Sequence, residues 1–294
     1  HLELTGLAGQ LESDGRIHRF SGVTAATPVG QVTAEGRFDG RAPFPLSLQA
    51  ALSTTQGGEA YKVELQAGGR LEALEVAATA EGAGMRGKAD LQATPFALLP
   101  LRAVHLRVSD LDPQRFHASA PTARLDIEAS LEPSARTPPV SGQSVAVEDW
   151  VVTGPLRVTN HKPGRYDTGE LPVVSLATRL RWAGGELAFS DLDLRLPGDG
   201  RVVGEASWQA PAMDRPGNGQ LRSALRVSGV DVRRLDGRAV ATAIAGTLAL
   251  RGDGEAQVLD ADLRDKKLAL RLKARHGAGL LQVDEAVVKA EAAR

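Results

Sequence analysis

The chain has no cysteine among its 294 residues, and aromatic residues make up only 4% of it. The lack of cysteine excludes disulfides, thiolate metal sites, iron–sulfur clusters and cysteine nucleophiles. The formal net charge of -1 argues against a nucleic-acid partner, because phosphates demand a basic protein face. No stretch approaches the roughly 20 apolar residues of a membrane-spanning helix. Helical periodicity is also almost absent, so no helices are available to cover a sheet.

The sequence is instead dominated by strict alternation of apolar and polar residues. Such alternation gives a strand one apolar and one polar face, and it is typical of antiparallel sheets. Glycine- and proline-rich turn signals recur about every ten residues, which leaves about eighteen strand candidates. Residues 112–116 and 231–235 each predict one helical turn after an aspartate cap. Residues 287–292 fit a strand or a helix equally well.

The number of strands limits the possible architectures. Eighteen strands spaced ~4.8 Å apart make a sheet roughly 85 Å wide, and open sheets rarely exceed ~10 strands without curling or splitting. We therefore predict an all-β fold, a long curled and mainly antiparallel sheet that forms an open trough (a β-taco) with an apolar interior. A leucine-rich sandwich is the alternative. Residues 1–294 are expected to form one continuous groove segment, with a possible loop break at 132–142.

The inward positions of the alternating strands are mostly Leu, Val and Ala, which predicts an aliphatic groove. The predicted lining residues are Leu46, Leu48, Val104, Leu106, Val108, Leu125, Ile127, Leu192, Leu194, Leu196, Leu248, Leu250, Leu268, Leu270 and Leu272. Trp182 and Trp208 each end an alternating strand, where they border the groove or fill corners of a core.

Catalytic and metal-binding patterns are weak in this chain. Residues 82–87 match G-x-G-x-x-G, but the alternation that follows predicts a hairpin rather than the helix a dinucleotide site needs. No histidines have metal-pair spacing, and no G-x-S-x-G elbow occurs. Three Asp-x-Asp pairs fit the polar face of a strand better than a cation site: Asp110/Asp112, Asp191/Asp193 and Asp260/Asp262. We therefore expect no enzyme, no bound metal and no cofactor.

One segment of the sequence carries a more distinctive motif than the rest. Residues 154–173 read as a strand, then Asn160, a Pro163-Gly164 corner, Asp167, and a new strand after Leu171-Pro172. This pattern resembles the middle of TamB proteins, which belong to the AsmA-like group. Asp112-Pro113 followed by Phe116, and Gly-bounded alternating strands across nearly the whole chain, agree with that resemblance.

The resemblance implies a role in outer-membrane biogenesis. TamB-like proteins are anchored in the inner membrane of Gram-negative bacteria, cross the periplasm and partner the outer-membrane barrel TamA. They are implicated in phospholipid transport between the membranes and in autotransporter assembly. This chain would then be an internal periplasmic segment without the N-terminal anchor and without the C-terminal part that meets TamA. Phospholipid acyl chains would be its ligands, and the family has no catalytic residues to carry over.

Two other functions remain open from the sequence. A scaffold could template nascent outer-membrane strands by β-augmentation, without transporting lipid. An enzyme acting on a polysaccharide would need a clustered acid/base pair, whereas every carboxylate pair here follows an ordinary solvated pattern.

Overall fold

The structure is a computed structural model that describes residues 5–56, 58–136, 145–211, 219–252, 256–266, 268–277 and 280–290. The chain divides into two compact units. Unit 1 comprises His1–Ser119 and Leu125–Trp150, and unit 2 comprises Ala120–Arg124 and Val151–Arg294.

Both units are built from long strands, and helical structure among the described residues is limited to single turns. Unit 1 holds β1 (Thr5–Ser13), β2 (Ile17–Thr27), β3 (Gly30–Asp39), β4 (Pro45–Gln56), β5 (Glu59–Arg70), β6 (Ala73–Gly82), β7 (Met85–Ala93), β8 (Leu101–Leu111) and β9 (Leu125–Ala135). Unit 2 holds β10 (Trp150–Asn160), β11 (Ser175–Ala183), β12 (Glu186–Arg195), β13 (Arg201–Gln209), β14 (Gln220–Val230), β15 (Ile244–Gly252), β16 (Ala256–Asp265), β17 (Leu268–Gly277) and β18 (Leu280–Ala290).

Within each unit, successive strands pair with one another in antiparallel register. In unit 1 the pairing runs from β1 to β9, and in unit 2 it runs from β10 to β18. No pairing among the described residues joins β1 to β9 or β10 to β18, so the sheet of neither unit closes into a barrel. The predicted all-β, antiparallel and open architecture is therefore confirmed.

Local predictions can be compared with the strand ends. The G-x-G-x-x-G segment is a hairpin, since β6 ends at Gly82, β7 begins at Met85, and Ala83 and Gly84 have φ of 50° and 80°. Positive φ at both central residues is the signature of a type I′ turn, whose twist matches that of the strands. The ambiguous C-terminal run is strand through Ala290.

The two predicted helical turns are present, each after its aspartate cap. Asp112 accepts a hydrogen bond from the backbone N–H of Gln114 ahead of the 3-10 turn Pro113–Arg115. Asp231 does the same for Arg233 ahead of α1 (Val232–Leu235). Strand β9 continues through Ala135, so residues 132–135 of the expected loop break are strand, and residues 137–144 lie outside the described residues.

Burial in the described part of the chain is shallow. No large side chain there is fully buried, and the buried hydrophobic residues are mostly alanines. A two-layer sandwich would enclose large side chains completely between its sheets. The sheets of each unit are thus accessible on both faces, which disfavours the sandwich alternative.

Gly246 in β15 lies where the backbone of β16 comes very close. Its φ is 149°, and a Cβ atom there would stand 2.0 Å from the carbonyl oxygen of Asp262. We expect Gly246→Ala to lower the free energy of unfolding by about 2 kcal/mol, because both the clash and the backbone conformation disfavour a side chain. Urea denaturation measures the change.

Gly68→Ala is the matched control for Gly246→Ala. Gly68 lies within β5, and a Cβ atom there would have no heavy atom within 4 Å. Alanine should be neutral or slightly stabilising at this position, because it restricts the unfolded chain without a clash. Equal losses from the two substitutions would contradict the role given to close backbone approach.

Candidate functional site

One face of the unit 1 sheet carries continuous apolar rows that run across the strands. Residues directly opposite one another in antiparallel pairs point to the same face. One such row crosses all nine strands through Leu11, Phe20, Gly36, Leu48, Ala67, Val76, Leu91, Val104 and Leu131. We call the face that holds this row the apolar face of unit 1.

Unit 2 presents a face of the same kind. A row crosses seven strands through Leu192, Gly204, Leu225, Leu248, Ala261, Leu272 and Ala286. This defines the apolar face of unit 2. Among the paired positions of this face, the acidic or basic residues that the described strands place there are Asp265 at the end of β16 and His276 near the end of β17. A chain of methylenes lying across the strands would therefore meet hydrocarbon at nearly every step.

The structure places the predicted lining residues on these two faces. Leu46, Leu48, Val104, Leu106, Val108, Leu125 and Ile127 alternate onto the apolar face of unit 1. Leu192, Leu194, Leu248, Leu250, Leu268, Leu270 and Leu272 alternate onto that of unit 2. Leu196 follows the end of β12 and lies against Gly200.

Most of these side chains are half-buried by their neighbours. The extremes are Leu125, which is 8% exposed, and Leu268, which is 51% exposed. Half-exposed leucines arranged in rows form an apolar surface that water touches, and contiguous surfaces of this kind in soluble proteins mark binding sites.

The tryptophans occupy one end of the apolar face of unit 2. Trp182 is opposite Leu187, and Leu187 is in turn opposite Trp208. Trp208 continues the row to Leu221 and is 43% exposed. Trp208 thus borders the face rather than filling a closed corner.

The polar faces carry cross-strand ion pairs. One aspartate of each Asp-x-Asp pair bonds to an arginine: Asp110 to Arg86, Asp193 to Arg201, and Asp262 to Arg271. The hydrogen bond from Arg201, at 2.8 Å, lowers the pKa of Asp193. The predicted solvated role fits these contacts, and no group of three or more potential metal ligands occurs in the described part of the chain.

Shallow depressions of unit 1 are lined mostly by residues of its polar face. Two of them, of about 430 and 400 Å³, share Gln49 and Gln66, which are directly opposite one another. They form between long polar side chains, where Gly68 and Ala77 leave room. Leu48 of the predicted groove lining, with Ala67, Val76 and Leu91 of the same row, also lines the first of them.

Asn160, the last residue of β10, makes four hydrogen bonds through its side chain. It is 4% exposed. Its Oδ1 accepts hydrogen bonds from the backbone N–H groups of Arg124 and Lys162, at 3.2 and 3.0 Å. Its Nδ2 donates to the carbonyl oxygens of Leu171 and Val173, at 3.2 and 2.9 Å.

The bonds of Asn160 explain the most distinctive motif of the sequence. Leu171-Pro172-Val173 follows Asn160 by eleven residues, and the side-chain amide of Asn160 donates hydrogen bonds to the carbonyl oxygens of Leu171 and Val173. The asparagine was visible in the sequence as part of a turn, but the link to Arg124 joins segments 36 residues apart, and no local pattern indicates it.

No helix among the described residues is long and apolar enough to cross a membrane. No known protein family, curated protein or solved structure matches this chain. The two apolar faces are accordingly the features of the molecule from which a function can be inferred.

Proposed function

We propose that this chain is a non-enzymatic conduit segment that shields phospholipid acyl chains on its apolar faces. The observation that carries the proposal is the nine-strand apolar row of unit 1, together with the seven-strand row of unit 2. A buried CH₂ contributes about 0.8 kcal/mol, so contact with a few acyl carbons suffices for retention.

The arrangement of the rows favours transport over storage. Successive strands present similar aliphatic groups at spacings of ~4.8 Å, so an acyl chain that moves by one strand exchanges one set of contacts for an equivalent set. The described residues of the two faces form no deep pocket around an acyl chain, since their lining side chains are mostly half-exposed. Binding energies at successive positions would then differ little, and the lipid could slide.

The resemblance to TamB proteins supplies the setting of the proposal. On this view the segment works in the periplasm of a Gram-negative bacterium, between an inner-membrane anchor and the outer-membrane barrel TamA. Its cargo would be phospholipid moving between the two membranes, which also serves autotransporter assembly. The Asn160 turn, with its Leu-Pro-Val segment, is the motif that supports this placement.

Native mass spectrometry of the purified chain tests the proposal. We expect added masses that match phospholipids, and organic extraction should release the same lipids. Chain stripped of lipid should take it up again from vesicles of phosphatidylethanolamine and phosphatidylglycerol. A chain that neither carries nor acquires lipid would refute the conduit, and strand templating without lipid would become the better account.

A further inference from the structure

A short segment of unit 1 crosses one end of the apolar face. Strand β8 ends at Leu111, and residues 112–119 follow it, beginning with the 3-10 turn Pro113–Arg115. The backbone N–H groups of Phe116 and His117 both donate to the carbonyl oxygen of Pro113, at 3.1 Å. We call residues 112–119 the strap.

Two side chains join the strap to β5, three strands away from β8 in the sheet. Arg115 donates to the Oε1 of Glu59 at 2.8 Å, with both side chains about half exposed. The ring of Phe116 lies 5.9 Å from the ring of Tyr61, tilted by 46°. The strap therefore spans β6 and β7.

The strap lies on the apolar side of the sheet. Tyr61 alternates with Val63 and Leu65 onto the apolar face, and its partner in register is Gly82. A Cβ atom at Gly82 would stand 2.3 Å from Cδ1 of Tyr61, so the Tyr61 ring covers this glycine on the apolar side. Phe116, in contact with that ring, lies on the same side and covers the end of the face.

We propose that the strap is a releasable gate at this end of the apolar face, an inference that rests on the proposed conduit function. An exposed ion pair and one aromatic contact are each weak, so these two contacts together favour the closed strap by a factor of roughly 10 to 50. Phe116 is 48% exposed even in the closed arrangement. The strap blocks acyl chains from this end when closed, and it opens often enough to let them pass.

The absence of cysteine makes the gate directly testable. In the double variant Glu59→Cys/Arg115→Cys, a cleavable bis-methanethiosulfonate linker of the length of the ion pair locks the strap. Uptake of pyrene-labelled phospholipid from phosphatidylethanolamine/phosphatidylglycerol vesicles should become at least fivefold slower, and cleaving the linker with dithiothreitol should restore it. Phe116→Ala, which frees the strap, should make uptake at least twofold faster.

A matched control places the same linker across another ion pair. Arg107 and Glu128 are paired at 3.0 Å between neighbouring strands of the polar face, and a link between cysteines there should leave uptake unchanged. Equal uptake by the locked and cleaved strap would overturn the gate while leaving the conduit standing.

Hydrogen exchange separates failure of the gate from failure of the conduit. The amides of residues 112–119 should exchange at least threefold faster in Phe116→Ala than in the parent chain, with or without lipid. Unchanged exchange would overturn the gate even if lipid is bound. Faster exchange in a chain that takes up no lipid at all would overturn the conduit, and with it any gating of acyl chains.

Discussion

Leu248→Arg is expected to abolish retention of phospholipid while the sheet stays folded. Leu248 lies in the middle of the seven-strand row of unit 2, opposite Leu225 and Ala261. An acyl chain crossing that point would bury an unpaired guanidinium, at a cost of several kcal/mol. That loss exceeds what a few methylene contacts contribute, so we expect lipid binding to fall at least 100-fold.

The fold should tolerate the same substitution, because the face is open to water. The long side chain of arginine can keep its stem on the apolar surface and extend its charge into solvent, so we expect a loss of about 1–2 kcal/mol in the free energy of unfolding. Circular dichroism and urea denaturation check the fold, and native mass spectrometry and vesicle uptake measure the lipid.

Thr247→Arg is the control for the charge itself. Thr247 precedes Leu248 in β15, points to the polar face and is opposite Asp262. The added charge lies between Arg226 and Asp262 on the polar face, away from the acyl chains, so lipid binding should not change. Should Leu248→Arg retain as much lipid as Thr247→Arg, the apolar face of unit 2 is not where the acyl chains lie.

Asn160→Leu is expected to cause the largest loss of stability in unit 2. Leucine has a similar volume but leaves two N–H donors and two carbonyl acceptors without the amide they contact in the folded chain. Leaving such groups unpaired costs about 1–3 kcal/mol each when they are buried, although water can reach some of them after the change. We expect a loss of about 3–4 kcal/mol in the free energy of unfolding, measured by urea denaturation.

Thr178→Val provides a graded comparison for Asn160→Leu. Thr178 is 7% exposed, and its Oγ1 donates one hydrogen bond, of 2.8 Å, to the carbonyl oxygen of Ser190. Valine keeps the shape and removes that single bond, so we expect a loss of about 1 kcal/mol. A comparable loss from both substitutions would mean that Asn160 acts through packing rather than through its four bonds.

The sequence predicted the strands because period-two alternation is a local property. The alternation within residues 268–272 is enough to show that Leu268, Leu270 and Leu272 share one face. The register between neighbouring strands then follows from short turns such as Ala83–Gly84. The aspartate caps of Asp112 and Asp231 were predictable for the same reason, since each accepts a hydrogen bond from a residue two positions ahead.

What the sequence could not predict are contacts between residues far apart in the chain. The pairing of Arg115 with Glu59 joins residues 56 positions apart, and an exposed arginine and glutamate give no local sign of it. The division into two units is equally hidden, since the strand pattern is the same on both sides of the boundary. In the sequence Phe116 belongs to a predicted helical turn and to a family-like pattern, whereas its place over Tyr61 depends on the folded sheet.

Within each unit, every strand after the first pairs with the strand that precedes it in the sequence, and this order affects how the chain folds. Each new strand of a unit finds its template in the strand made just before it, so most loop closures are short and little entropy must be overcome at once. A polypeptide threaded through a narrow translocation channel could therefore fold progressively from its leading end, without waiting for its last residues to emerge.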